Sequence, residues 1–204
     1  MKLYLTLMVC SCAQLVLVGG TLRKFKWSTC GSNHNPPIHI HQLDVTPMPM
    51  ILPGNIYVTV NASLTRPLTN AKLKLSMKRH TFLFDLPLPC MSHLGSCSYN
   101  NMCTMMDTMI AENWANSMTE VGRQIRDMLR ELGVTATNCT ISPRSLHINR
   151  YQLHLPGLSS LLSIVAAGDY KIGMLVTEHS TGEDIFCANL EVSIDKAVSG
   201  NLFG

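Results

Sequence analysis

The chain has 204 residues, 46% of them hydrophobic and only 14% charged, with a formal net charge of +3. So much apolar material must be buried in a core or held for a ligand. The near balance of acids and bases argues against a nucleic-acid partner, which calls for a strongly basic surface.

Lys2 precedes an apolar run from Leu3 to Val18 that ends in the small pair Gly19 and Gly20, the pattern of a signal peptide over residues 1–20. Ser11, Cys12 and Gln14 interrupt a run already short for a membrane span, and no later segment is long and apolar enough to be one. Residues 21–204 are therefore expected to form a single domain in the secretory or lysosomal route. With Lys2 removed, fifteen basic residues face thirteen acidic ones, and all eight histidines remain to add charge as pH falls. Six cysteines also remain: Cys30, Cys90, Cys97, Cys103, Cys139 and Cys187. In an oxidising compartment an even count implies three disulfides, among about fifteen possible connectivities. The sequons at Asn61 and Asn138 fit the same compartment and are candidate glycosylation sites.

The first clear strand alternates Ile56, Val58 and Val60 with Tyr57, Thr59 and Asn61, which sets the Asn61 sequon on the outward face. The next alternates Ala71, Leu73, Leu75 and Met77 with Lys72, Lys74, Ser76 and Lys78, and Phe82 and Phe84 continue in a neighbouring strand. Leu86 to Asp107 then carries a Cys-loop-Cys clip, Cys90 to Cys97, and runs into a methionine-rich segment. From about 100 to 132 the pattern turns helical: Trp114, Met118, Val121, Ile125, Met128, Leu129 and Leu132 recur on one face, and Gly133 suits a C-terminal cap. Leu155 to Gly168 has no charge yet is broken by proline and glycine, so it either packs into the core or touches lipid. Two more alternating runs follow, Tyr170, Ile172, Met174 and Val176, then Phe186, Ala188, Leu190, Val192 and Ile194. Short strands between the turns at Pro53-Gly54, Arg66-Pro67 and Thr181-Gly182 predict an all-β, immunoglobulin-like two-sheet β-sandwich with a helical insertion.

Enzyme signatures are missing. There is no Gly-x-Ser-x-Gly elbow, His-Glu-x-x-His, P-loop, or Cys-Cys-x-x-His-Asp core of secreted phospholipases. His39 and His41, with His34 nearby, lack a second ligand cluster, and there is no Cys-x-x-Cys pair, so the histidines read as exposed strand residues and no metal is expected. Asp85, Asp107, Glu183 and Asp184 show no paired-carboxylate pattern. No catalytic residue and no cofactor is expected. Eleven methionines in the mature chain, among them Met102, Met105, Met106 and Met109, suit either helix-to-sheet packing or a pocket that adapts to its ligand.

Several short pieces, in order, resemble the MD-2-related lipid-recognition family. They are Phe25-Lys26-Trp27-Ser28-Thr29-Cys30, Leu52-Pro53-Gly54-Asn55-Ile56, Leu88-Pro89-Cys90, Gly95-Ser96-Cys97, Cys103, Asp107, Gly168-Asp169-Tyr170-Lys171-Ile172 and Cys187. The resemblance covers roughly Phe25 to Lys196. It implies a β-cup around an apolar cavity, in a protein that is not an enzyme. A glycolipid-activating member would extract glycolipid from a membrane and present it to a soluble glycosidase, β-hexosaminidase. The alternative is an extracellular lipid carrier or lipid-sensing module with no hydrolase partner. The chain departs from the activating members in lacking one disulfide in the region before Cys139, where it has only one cysteine, and in a longer helical stretch. With the resemblance come disulfides Cys30–Cys187, Cys90–Cys97 and Cys103–Cys139. Candidate cavity residues are Val58, Val60, Leu73, Leu75, Phe82, Phe84, Ile172 and Met174. Leu155, Leu158, Leu161 and Leu162 would form a lip against the membrane, with peripheral binding stronger at acidic pH.

Overall fold

A computed structural model describes residues 24–31, 33, 35–134, 140–157 and 167–197. The strands are β1 (Lys26–Thr29), β2 (Ile38–Thr46), β3 (Met50–Leu52), β4 (Gly54–Leu64), β5 (Ala71–His80), β6 (Asp85–Leu88), β7 (Ser98–Tyr99), β8 (Arg144–Leu155), β9 (Gly168–Glu178) and β10 (Asp184–Lys196). Two helices, α1 (Met102–Glu112) and α2 (Thr119–Glu131), stand between β7 and β8. One sheet runs β1-β10-β9-β5-β6, with β3 added to β10 and β7 to β5; the other is β2-β4-β8. Every pairing is antiparallel except β3 on β10. This is the all-β two-sheet sandwich that the alternating pattern implies.

The inward faces follow the residue parity. On β5, Ala71 and Leu73 are buried while Lys74, Ser76 and Lys78 face water. Leu64, Leu68, Ala71, Leu73, Val176, Ile185, Phe186 and Ala188 pack into one continuous core at one end of the sandwich. Cys30–Cys187 fastens β1 to β10 at that end, and Cys90–Cys97 closes the clip between β6 and β7. Both match the expected pairing. Cys139, and with it the expected third bridge, lies outside the described residues, as do residues 1–20 and Asn138.

The helical insertion is a hairpin rather than one rod. Asn113, Ala115 and Asn116 have positive φ, which breaks the helix around a short 3₁₀ turn, Trp114–Asn116. The Asn113 carboxamide oxygen then accepts from the Thr119 backbone N–H at 3.2 Å and its hydroxyl at 2.9 Å, pinning the start of α2. Gly133, at φ 70°, ends α2 as expected: its N–H donates to Arg130 O and that of Val134 to Leu129 O, a Schellman closure. The α2 helix covers the free edge of β8. His154 N–H donates to Gln124 Oε1 at 2.6 Å, and Gln124 Nε2 donates back to His154 O at 3.0 Å.

Candidate functional site

Away from the packed core the two sheets do not close on each other. A cavity of about 410 Å³ lies against the large sheet there, partly open to solvent. Its floor is the large sheet: Leu73, Leu75 and Met77 of β5, Tyr170 and Ile172 of β9, Val192 and Ile194 of β10. The helical hairpin supplies one wall through Met105, Met106, Met109, Trp114, Val121 and Ile125. The clip supplies another through Pro89, Met91, His93 and Leu94, and Leu52 of β3 together with Leu155 and Pro156 at the end of β8 complete it. A space of this size with almost wholly apolar walls is poor accommodation for water and suited to hydrocarbon. The thioethers of α1 and the clip let those walls adjust to chains of different shape.

The polar groups on these walls are tied to one another. His93 stacks on Trp114 with centroids 4.6 Å apart, and Tyr99 stacks on Trp114 at 5.3 Å. The indole Nε1–H donates to Glu112 Oε2 at 3.1 Å, the same carboxylate oxygen lies 3.5 Å from His93 Nε2, and the Tyr99 hydroxyl donates to the His93 carbonyl at 2.6 Å. This network joins the clip to the helical hairpin. Burial holds the phenols of Tyr99 and Tyr170 above the usual tyrosine range; for Tyr170 the nearby Arg79 charge opposes that shift.

Of the residues singled out from sequence, Leu73, Leu75 and Ile172 line the cavity, and Leu155 joins them at its rim. Val58 and Val60 are half-buried on the inner face of β4, and Met174 packs against the core cluster. Phe82 and Phe84 are elsewhere. Thr81 N–H donates to the Phe84 carbonyl at 3.1 Å and Phe84 N–H to the Thr81 hydroxyl at 3.2 Å. This closes a tight turn between His80 and Asp85 and ejects its apolar contents: Phe82 is 84%, Leu83 79% and Phe84 60% exposed. They are not part of a strand, because hairpin closure overrides the alternation that suggested one. Leu158, Leu161 and Leu162 lie outside the described residues. Asn61 is half-buried on the outer face of β4, between Gln42 and His147. His41 Nε2 is 3.0 Å from the Ser63 hydroxyl, and among the described residues no three potential metal ligands gather.

Most of the helical wall and the clip wall escaped sequence reasoning. The α2 periodicity was legible, but apolar residues that fill a core and those that line a void carry the same signal. The methionine density around Met105, Met106 and Met109 was the one available hint.

A family model described as the ML domain matches residues 24–194. The ganglioside GM2 activator of Mus musculus is 26% identical over 171 residues, covering 83% of this chain and 81% of that protein. The ganglioside GM2 activator of Macaca fascicularis is 24% identical over 174 residues, covering 85% and 84%. Among solved structures, a Niemann-Pick type C2 protein from the Japanese carpenter ant superposes with a TM-score of 0.40 at 11% identity, over 83% of this chain and 99% of that one. With the motifs from Trp27 to Cys187, two of the disulfides, the sandwich and the match over most of its length in agreement, the chain belongs to the ML family of lipid-recognition domains.

Proposed function

We propose that the protein is a non-enzymatic lipid carrier of the secretory or lysosomal route, which takes acyl chains into the cavity and lifts a glycolipid from a membrane for a soluble glycosidase such as β-hexosaminidase. The apolar cavity beside an exposed aromatic turn carries this reading. The last rungs of β5, β9, β10 and β8 all lie at one end: His80 pairs with Asp169, Gly168 with Ile194, and Gly54 with Leu155. The turn Phe82-Leu83-Phe84 projects past these rungs, flanked by Arg79, His80 and Lys171. Burying one such side chain contributes roughly 1.5–3 kcal/mol, so two or three in the outer leaflet give reversible attachment. The adjacent cations, and histidine protonation, favour an anionic surface at acidic pH. Here the membrane contact moves from the Leu155–Leu162 segment alone to a surface that includes the Phe82 turn.

Presentation to a hydrolase is supported by likeness to proteins named as ganglioside activators. The test is native mass spectrometry of the secreted protein, followed by addition of GM2 ganglioside and β-hexosaminidase. Co-purified or captured lipid and accelerated hydrolysis are expected. Capture without acceleration would leave a carrier with no hydrolase partner, and no capture of any acylated lipid would refute the reading. Glycopeptide mapping is expected to find Asn61 more fully occupied than Asn138, which adjoins a cysteine.

A further inference from the structure

Residues of odd number on β5 face inward: Leu73, Leu75 and Met77 line the cavity, and the next in the series is Arg79. Its rung partners are Leu86 on β6 and Tyr170 on β9, and Tyr170 lines the cavity as well. A charged side chain on the inner face of a strand, one step beyond the last apolar lining residue, calls for a reason. The structure makes room for it. Arg79 Nη2 donates to the Ala167 carbonyl at 2.7 Å, and a Cβ at Gly168 would come within 2.8 Å of Arg79 Nε, so the glycine leaves the guanidinium its place. Among the described residues Arg79 has no carboxylate partner. The acids on the adjoining rungs of β6 and β9 are engaged elsewhere: Asp85 with His80 and Lys171, Asp169 with the Ser193 hydroxyl. A guanidinium has five N–H donors in a planar fork that fits carboxylate or phosphate.

We propose that Arg79 selects the headgroup: it holds the carboxylate or phosphate of an anionic lipid whose acyl chains occupy the adjoining cavity. This rests on the carrier reading and narrows it to lipids with an anion close to the head of the tails. Lys78 provides an internal control. It sits one residue away on the same strand, faces outward, and carries the same charge. Delipidated wild type, Arg79→Gln, Arg79→Lys and Lys78→Gln would each be offered two equimolar pairs. One is phosphatidylglycerol against diacylglycerol with the same tails; the other is a sialylated ceramide glycolipid against its asialo counterpart. The bound ratio is read by native mass spectrometry, and circular dichroism checks the fold.

Wild type and Lys78→Gln should favour the anionic member about tenfold, Arg79→Lys less so, and Arg79→Gln should bring the ratio near one. The pair that responds identifies phosphate or carboxylate as the ligand group. An unchanged ratio in Arg79→Gln, or equal loss in Lys78→Gln, would overturn the proposal, as would a wild type with no preference, and all three leave the carrier reading in place if neutral lipid is retained. Failure of every protein to bind any of the four lipids would remove both.

Discussion

The two ends of the sandwich are built from the same strands and behave differently. At one end of β5, β9 and β10 the inward residues Ala71, Val176, Ile185 and Ala188 are buried against Leu64 and Leu68, and Leu73 marks the passage from this core to the cavity. Further along, Leu75, Met77, Ile172 and Ile194 keep the same parity but are only half-buried, and face a cavity walled by α1, α2 and the Cys90–Cys97 clip. On β5 and β9 the alternation is uninterrupted. What changes is the opposite wall: among the described residues the small sheet has three strands, and a helical hairpin stands where further strands would have closed it. A filled interior gives stability, and an unfilled one holds space for a ligand at some cost in stability.

The difference can be broken most severely from the packed end. Replacing Cys30 and Cys187 by serine opens a loop of 157 residues. In the chain-entropy picture this costs about 5 kcal/mol, seen as a large fall in the denaturation midpoint. Replacing Cys90 and Cys97 should cost roughly half as much, because the loop is short.

A matched pair of truncations separates the ends more finely. Ile185→Ala removes a side chain that is 1% exposed in the core and should destabilise by about 2–5 kcal/mol while lipid uptake by the surviving folded protein is unchanged. Ile172→Ala, on the cavity floor, should cost about 1–2 kcal/mol because part of its surface already faces open space, yet it should alter lipid retention. Urea denaturation together with lipid capture reads both quantities. Equal destabilisation by the two would mean that the cavity end is packed as tightly as the core.

The exposed turn should show the reverse balance. Phe82→Ser/Leu83→Ser should move stability by no more than about 0.5 kcal/mol, since neither side chain is buried. Vesicle flotation should nevertheless show loss of membrane binding at neutral and acidic pH. A double mutant that floats like wild type would place membrane contact on another surface.

The smallest effect lies in alkali. Burial raises the Tyr170 phenol above its ordinary 10.0, so the unfolded chain gives up that proton first. Its contribution to stability is complete below the unfolded value and is lost as pH rises through the folded one. Stability should therefore decline above about pH 10, and Tyr170→Phe should flatten part of the decline. An unchanged slope in the variant would mean that water reaches this phenol through the lipid-free cavity.

Much of this arrangement was legible in the chain because it depends on neighbours in sequence. The β5 parity from Ala71 to Met77, the α2 stripe from Val121 to Leu129 and the Gly133 cap are consequences of backbone geometry within a few residues. The Cys30–Cys187 and Cys90–Cys97 pairs followed from a family resemblance rather than from spacing. Misplacement of Phe82 and Phe84 had a local cause as well: two aromatics at a spacing of two fit a strand, and the competing Thr81–Phe84 hydrogen bonds of a turn leave no mark on hydrophobic periodicity.

Other features existed only once distant segments met. No pattern within β5 separates Ala71, which helps fill the core, from Met77, which borders open space, because each reads simply as an inward apolar residue. Whether a partner faces it depends on where the small sheet stops and where Trp114 and α2 are seated. The pairing of His93 with Glu112 and Trp114, and the position of Arg79 beside Gly168, likewise join segments that local propensity does not connect. Short-range sterics and alternation set the strands, helices and inward faces of this chain. Long-range packing between two sheets of unequal width decided that the interior would be solid at one end and hollow at the other.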